Sequence, residues 1–441
     1  MKKIWFGYWF KNWFFLYKIG YAVVISGIRS YFKNHQYIGQ NRIPKNAGII
    51  YAVNHQNAFL DPIVIAGKTK EPTHFLTRAD IFKKPLVARI LSKLYMLPIY
   101  RQRDGVNTIK MNEKTFNQCF DLLSKNGNLI IFPEGNHHYK KSLRPFKKGI
   151  ARIALGAAEK YNYKIPLFIV PLGIDYGNHF SMNGDLLLNA GEPIDISKYF
   201  EKYINEPAET INKLSSYVFE QLKSLMISID DLDNYDSIYY LVHKIPLEKK
   251  YNSIAERFEK KQFRLKKIEI LKQVNSNEYD DLIAKANRLK DFTKKSNIKP
   301  YLMNNEPKNA LVLVLAYLFM LFLSPIHLLG LLTNYIPYKA PVWFVNNKVK
   351  DQHFHGSLKL ALGVIFFFIY WLIILIPITV TKGWFLACGA LVLLPIIAIF
   401  NFRYWIFYIK LNGAWNFRSA FKQDHYKSHL EDFKKIKSLI D

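Results

Sequence analysis

Residues 48–62 read GIIYAVNHQNAFLDP, and this stretch decides the fold. Residues 48–55 begin as an unbroken apolar run, which is typical of a strand buried on both faces of a parallel sheet and ending in a loop. Asp61-Pro62 is a helix start signal, because Asp suits the N-cap and Pro suits the first helical position. The stretch therefore predicts a strand, a loop that carries His55, and a helix.

The same alternation of strand and helix patterns continues on the C-terminal side of this stretch. Apolar runs predict strands at 74–79, 128–135 and 165–176, and helical spacing predicts helices at 84–96, 112–127 and 149–161. The pattern indicates an α/β domain with a mostly parallel sheet and flanking helices. Functional loops are then expected at the carboxyl ends of the strands. Because proline lacks a backbone N–H, Pro171 predicts an edge strand or a bulge.

The loop after the first strand carries a candidate base. His55 lies in this loop, so it can fold back to the Asp61 carboxylate, which a straight helix would not allow. A His–carboxylate pair acts as a general base, because the carboxylate fixes the tautomer and stabilises the imidazolium. The alternative remains open that Asp61 only caps a helix and His55 only satisfies backbone groups.

Two further segments carry charge at predicted strand ends. Arg101 and Arg103 follow an apolar run, and arginine forks match phosphate oxygens. Phe132-Pro133-Glu134-Gly135 places a carboxylate in a turn, and the basic run behind it precedes the helix at 149–161, where an anion could bind. Ordinary surface arginines and an ordinary turn are the alternatives.

Taken together, the His–Asp block, the arginine block, Phe-Pro-Glu-Gly and Val170-Pro171 occur in order and resemble the glycerophospholipid acyltransferase family. The resemblance covers residues 45–195. It implies the following roles: His55 as the base, Asp61 as its partner, Arg101 as a ligand of the acceptor phosphate with Arg103 beside it, and Glu134 and Gly135 as residues that shape the acceptor site.

The chain departs from the family pattern in two places. The family usually has four residues between His and Asp, whereas five lie between His55 and Asp61. The third block usually continues Thr-Arg-Ser, whereas this chain has Asn136-His137-His138. Arg144 or Lys147 is therefore expected to supply the missing positive charge in the acceptor site.

Composition indicates a membrane. Half of the 441 residues are hydrophobic, and the apolar residues concentrate near 310–337, 359–381 and 383–409. The formal net charge of +28 fits an anionic membrane surface better than nucleic acid, because no nucleic-acid recognition motif accompanies it. Cys119 and Cys388 are too few for a disulfide framework and fit a cytoplasm-facing catalytic portion.

These patterns divide the chain into five expected parts. Trp5, Trp9 and Trp13 share one helix face, which favours an N-terminal helix in the lipid headgroup layer over a helix that packs on the soluble core. The parts are an amphipathic membrane-associated helix at 1–38, an acyltransferase catalytic domain at 39–204, a basic helical insert or linker at 205–307, a transmembrane module at 308–411 and a basic cytoplasmic tail at 412–441.

Charge near the apolar segments predicts their orientation. Lysines concentrate in 338–359 and basic residues in the tail, so both should face the cytoplasm, with 381–383 outside. Residues 310–337 must then enter and leave on one side, as a hairpin broken at Ser324-Pro325. A single kinked spanning helix is the alternative.

The expected function is a membrane-bound enzyme of phospholipid synthesis, in a bacterial cytoplasmic membrane. It would transfer a fatty acyl chain from acyl-CoA or acyl carrier protein to glycerol-3-phosphate, dihydroxyacetone phosphate or lysophosphatidate. No cofactor, metal ion or nucleic acid is expected. The alternative is a membrane scaffold or lipid-carrying protein with an inactive acyltransferase-like domain; a transporter is disfavoured by the small number of apolar segments.

Overall fold

The computed structural model describes residues 25–29, 31–58, 60–69, 72–100, 108–177, 183–350, 355–423 and 425–441. Most of the expected N-terminal helix, including its tryptophans, therefore lies outside the described residues. The chain divides into two compact units, Met1–Ser228 and Ile229–Asp441.

The first unit is built on a mixed, mostly parallel sheet. Its order is β1-β7-β6-β2-β5-β3-β4, with β8 paired to β6; only the β6–β7 and β6–β8 pairs are antiparallel among the described strands. The predicted fold class is confirmed. The strands are β1 Phe32–Ile38, β2 Gly48–Val53, β3 Thr73–Arg78, β4 Met96–Ile99, β5 Asn128–Ile131, β6 Leu167–Tyr176, β7 Gly184–Ala190 and β8 Ile194–Asp195.

Helices cover the sheet. In α4 the apolar residues recur every three or four positions, so one face of the helix, including Ile150, Ile153 and Ala157, is fully buried in the main core with β2 and β5. The helices of this unit are α1 Leu60–Ala66, α2 Pro85–Lys93, α3 Thr108–Leu123, α4 Gly149–Lys160, α5 Phe200–Asn205 and α6 Pro207–Ser224, with a 3-10 turn at Ala79–Phe82.

Strand register brings three loops to one edge of the sheet. In the parallel pairs, Val53 of β2 faces Leu172 of β6, and Ala52 faces Ile131 of β5. The carboxyl ends of β2 and β5 therefore lie side by side, and β6 continues past them to Tyr176. We call this edge the carboxyl edge; it positions every site residue described below.

Pro171 lies inside the sheet, so the edge-strand alternative of that prediction is wrong. β6 pairs with β2 on one side and with β7 and β8 on the other. The Pro171 carbonyl accepts from the Gly191 N–H at 2.9 Å, so the proline nitrogen faces the link between β7 and β8, where the ladder is interrupted. A missing donor is tolerated there because no strand residue of β7 or β8 is paired opposite it.

The second unit is helical in its described residues. α9 and α13 pack together: Arg288 forms a two-pronged ion pair with Asp432, with bonds of 2.9 and 3.0 Å, and Phe292 stacks on His429. We call these contacts the α9–α13 clasp. The helices are α7 Tyr235–His243, α8 Ile254–Val274, α9 Ser276–Lys295, α10 Ala310–Lys348, α11 His355–Lys382, α12 Trp384–Phe421 and α13 Tyr426–Ile440.

Three of these helices, α10, α11 and α12, are long and apolar enough to cross a membrane. α10 is one continuous helix through Ser324-Pro325, so the predicted break at that point is wrong. Proline at position 325 removes one backbone donor, but the remaining hydrogen bonds of a 39-residue helix keep the turns before and after it together. The first turns of α10 and the last turns of α12 are neighbours, because Arg418 donates to the Lys308 carbonyl at 2.9 Å.

Candidate active site

His55 and Asp61 meet at the carboxyl edge of the sheet. His55 Nδ1 lies 2.9 Å from Asp61 Oδ2; the His55 side chain is 12% exposed and the Asp61 side chain is fully buried. The Asp61 carboxylate accepts this hydrogen bond, so His55 Nδ1 carries the proton and His55 Nε2 keeps its lone pair. The extra residue between them does not prevent the contact, because the loop closes on the carboxylate.

The Asp61 carboxylate is held by three further donors. Its Oδ2 accepts from the backbone N–H groups of Gln56 at 2.8 Å and Asn57 at 2.9 Å, and its Oδ1 accepts from the Tyr176 hydroxyl at 2.7 Å. The prediction that Asp61 is an N-cap is wrong: α1 begins at Leu60, whose N–H donates to the Asn57 side chain. The carboxylate bonds residues before the helix, and so it organises the loop.

The loop around His55 is also fixed against β5. The His55 N–H donates to Glu134 Oε1 at 2.8 Å, and the His55 carbonyl accepts from the His138 N–H at 3.0 Å. The imidazole stacks on the Phe132 ring with centroids 3.9 Å apart. These contacts, together with the hydrogen bond to Asp61, fix the position of the imidazole before any substrate binds.

Glu134 links the base to a cation. Its Oε2 accepts from Arg144 Nε at 3.2 Å and from the Arg144 backbone N–H at 3.3 Å, and Arg144 also donates to the Asn136 carbonyl. Burial raises the pKa of Glu134, while the His55 N–H and Arg144 oppose that rise. Gly135 follows with a φ of 75°, a left-handed conformation that suits glycine and reverses the chain.

The other predicted cations are placed differently. Lys147 is exposed, and its backbone N–H donates to the Pro133 carbonyl at 2.7 Å, which brings the basic run back to the Glu134 turn. Arg101 and Arg103 lie outside the described residues, so their roles stay predictions. Of the two proposed replacements for the family arginine, Arg144 is the one whose side chain contacts the site carboxylate.

Several site residues were missed by sequence reasoning. The buried Asn54 amide makes two hydrogen bonds to the Ile174 backbone, and the buried Lys141 ammonium pairs with Asp175 and donates to the Tyr176 carbonyl. The sequence offered one signal: a strand predicted to end at residue 176 places its last polar residues at the carboxyl edge. Within the described residues, no group of three or more His, Cys, Asp or Glu could hold a metal ion.

The arrangement can remove a proton. The Nδ1–H tautomer leaves His55 Nε2 as the basic atom, and Asp61 stabilises the imidazolium that forms when this atom takes a proton. Residues 34–175, which contain every described site residue except Tyr176, match the family model named Acyltransferase. This part of the chain is similar to acyltransferases.

Two similar proteins are acyltransferases by name. Over 123 residues the chain is 37% identical to glycerol-3-phosphate O-acyltransferase 2 of Saccharomyces cerevisiae, covering 28% of this chain and 16% of that protein. Over 182 residues the chain is 29% identical to 1-acyl-sn-glycerol-3-phosphate acyltransferase of Cocos nucifera, covering 41% of this chain and 54% of that one. The match thus spans about a sixth of the yeast protein and about half of the coconut protein.

Among solved structures, the chain is similar to the 1-acyl-sn-glycerophosphate (LPA) acyltransferase PlsC from Thermotoga maritima. The sequences are 22% identical, and the match covers 47% of this chain and 81% of that chain with a TM-score of 0.34.

Proposed function

We propose that this protein is a membrane-bound O-acyltransferase that moves a fatty acyl chain from an acyl thioester to a hydroxyl of a phosphorylated glycerol. The observation that carries the proposal is the contact of 2.9 Å between His55 and the buried, four-donor carboxylate of Asp61. A carboxylate that only capped a helix would bond the amides of that helix, and Asp61 instead bonds the base and its loop.

The reaction needs no covalent enzyme intermediate. His55 Nε2 takes the proton of the acceptor hydroxyl as the oxygen attacks the thioester carbonyl carbon. The tetrahedral intermediate collapses, the C–S bond breaks, and the imidazolium returns its proton to the leaving thiolate. Asp61 stabilises the imidazolium between these two proton transfers.

The acceptor phosphate would bind beside the base. Arg144 is held by the Glu134 carboxylate, which also accepts from the His55 N–H, so one buried side chain sets the positions of both the base and the cation. A phosphate bound to Arg144, with Arg101, Arg103 or Lys147 adding charge, would direct a glycerol hydroxyl to His55 Nε2. Positioning of this kind contributes several kcal/mol to catalysis.

The donor and the membrane complete the proposal. Acyl-CoA and acylated acyl carrier protein are both thioesters that the mechanism accepts. Glycerol-3-phosphate, dihydroxyacetone phosphate and lysophosphatidate all offer a hydroxyl near a phosphate. The helices α10, α11 and α12 support attachment to a bilayer, where the acylated product partitions. We place the acyltransferase domain on the cytoplasmic face, where these substrates are made.

A direct assay tests the proposal. The full-length protein, purified in detergent, is mixed with palmitoyl-CoA or palmitoyl-acyl carrier protein and with each of the three acceptors, and thiol release and acylated product are measured together. We expect both for at least one donor and acceptor pair, and neither with His55→Ala. An intact, folded protein that releases no thiol with any pair would favour the scaffold or lipid carrier instead.

A further inference from the structure

Helix α2 in the acyltransferase domain presents an unusual surface. None of its residues is buried, and its contact with the domain is made by half-buried side chains such as Val87 and Leu91. On its outer side Leu86, Ile90 and Leu94 are 69%, 50% and 48% exposed. Spaced four residues apart, they form one continuous apolar stripe along the helix. We call these three residues the α2 stripe.

The charges around the α2 stripe are all of one sign. Lys83 and Lys84 are exposed just before the helix, and the exposed Arg89 lies about 60° from Leu86 around the helix axis. From residue 81 to residue 95 the sequence contains no acidic residue. The preceding Asp80 is bonded by Arg78, so it does not offset these cations.

We infer that the α2 stripe docks on the surface of an anionic bilayer, inserting its apolar side chains while the basic side chains contact lipid phosphates. The charge pattern selects this occupant, because an apolar stripe edged by cations is complementary to anionic headgroups above acyl chains. The net charge of +28 and the three span-length helices place the same chain at a membrane.

The position of α2 in the fold means that this docking would also orient the carboxyl edge of the sheet towards the bilayer. The chain leaves β3 at the carboxyl edge, makes the 3-10 turn at Ala79–Phe82 and starts α2 there. Ile81, which lies in that turn, is 39% exposed and extends the apolar surface towards the edge that carries His55. Resting on the proposed function, this contact brings the active edge to the lipid phase in which acyl chains dissolve.

Site-directed spin labelling tests the docking without relying on activity. The full-length protein carries Cys388→Ser, while Cys119 is fully buried and stays unlabelled. A nitroxide is attached at Ile90→Cys, at Leu94→Cys as a second reporter, or at Ser92→Cys as the matched control. Ser92 is exposed and about 160° away from Ile90 around the same helix. Each protein is reconstituted in vesicles of phosphatidylcholine with or without phosphatidylglycerol.

We expect labels at 90 and 94 to be accessible to oxygen and shielded several-fold from a water-soluble nickel chelate, relative to the label at 92. The shielding should increase with phosphatidylglycerol. Equal nickel accessibility at 90 and 92 would overturn the inference. Shielding of position 90 from both reagents would also overturn it, because a protein surface would then cover the stripe; spin–spin broadening would identify a second copy as that surface.

Discussion

At the residue scale, the centre of the site is a carboxylate with four partners. We expect His55→Ala to reduce acyl transfer to background, because it removes the proposed base, and Asp61→Asn to retain more activity, because it removes charge and orientation but not the base. Thiol release by the purified variants measures this. His35→Ala, in the outermost strand β1, is the control. Near-normal turnover in folded His55→Ala protein would refute the catalytic role.

Substitution of Tyr176 tests whether the orientation of the Asp61 carboxylate affects the rate of acyl transfer. Tyr176→Phe removes only the hydroxyl that donates to Asp61 at 2.7 Å. Since a hydrogen bond to a charged group contributes about 1.5–3 kcal/mol, we expect kcat to fall about tenfold. The KM values for both substrates should change little, because the hydroxyl is buried behind Asp61.

The control for this experiment is Tyr217→Phe, which alters an exposed tyrosine on α6. A fall in thermal stability without any fall in kcat would make Tyr176 a structural residue only. Initial rates over a range of acceptor concentrations separate the two outcomes.

Arg144 is linked to the base by Glu134, which accepts hydrogen bonds from both His55 and Arg144. We expect Arg144→Ala to raise the acceptor KM much more than the donor KM, because it removes a positive charge from the proposed phosphate position. Lys148→Ala, which alters an exposed lysine of the same basic run, is the matched control. A defect confined to the donor KM would contradict the assignment.

Sequence patterns predicted some of these residues and missed others. His55, Asp61 and Glu134 stand in short, ordered blocks, and the structure brings all three within hydrogen-bond reach of the same loop. Tyr176 and Lys141 were missed because their roles depend on strand order. Only when β6 lies beside β2 does the end of β6 reach the Asp61 carboxylate, and no local pattern encodes that neighbour.

At the element scale, apolar runs located the inner strands well. β2, β3, β5 and β6 all lie within their predicted segments or one residue away from them. β1, β7 and β8 were not predicted, because β1 is largely polar, β7 mixes polar ends with a short apolar run, and β8 has only two residues. The wrong prediction of an edge strand at Pro171 has a related cause, because local propensity contains no information about an interruption in the neighbouring strands.

A half-buried histidine in β3, His74, is expected to make the stability of the first unit depend on pH. Burial lowers the pKa of His74 to about 4 from its usual 6.5, so the folded protein binds fewer protons than the unfolded chain between these values. The free energy of unfolding should therefore decrease as the pH falls below 6.5, by about 2 kcal/mol at pH 5. His74→Gln, which does not titrate, should remove this part of the decrease.

Urea unfolding midpoints measured at pH 7 and at pH 5 test the effect. Unfolding of the first unit is followed by near-UV signals that do not come from tryptophan. An equal loss of stability in the wild-type protein and in His74→Gln would show that other groups cause the acid sensitivity.

At the scale of the whole molecule, orientation in the bilayer is the open prediction. Lys339 and Lys348 near the end of α10, and Lys350 just after it, favour a cytoplasmic position for this end of the helix and for the link to α11. In sealed cells that express the Cys388→Ser protein, we expect Asn346→Cys to resist an impermeant maleimide added outside. Lys382→Cys, beside the Gly383 link, should react. The reverse pattern would show that α10 crosses and that the lysine-rich link lies outside.

The α9–α13 clasp limits the number of times that the chain between these two helices can cross the bilayer. α9 precedes the three apolar helices and α13 follows them, yet Arg288 of one bonds Asp432 of the other. Two helices that meet through an ion pair share one aqueous compartment, so the chain between them must cross the bilayer an even number of times. Three simple crossings are thereby excluded. Two of the three span-length helices can then cross, or none, and each remaining helix begins and ends on the same side although it is long enough to cross.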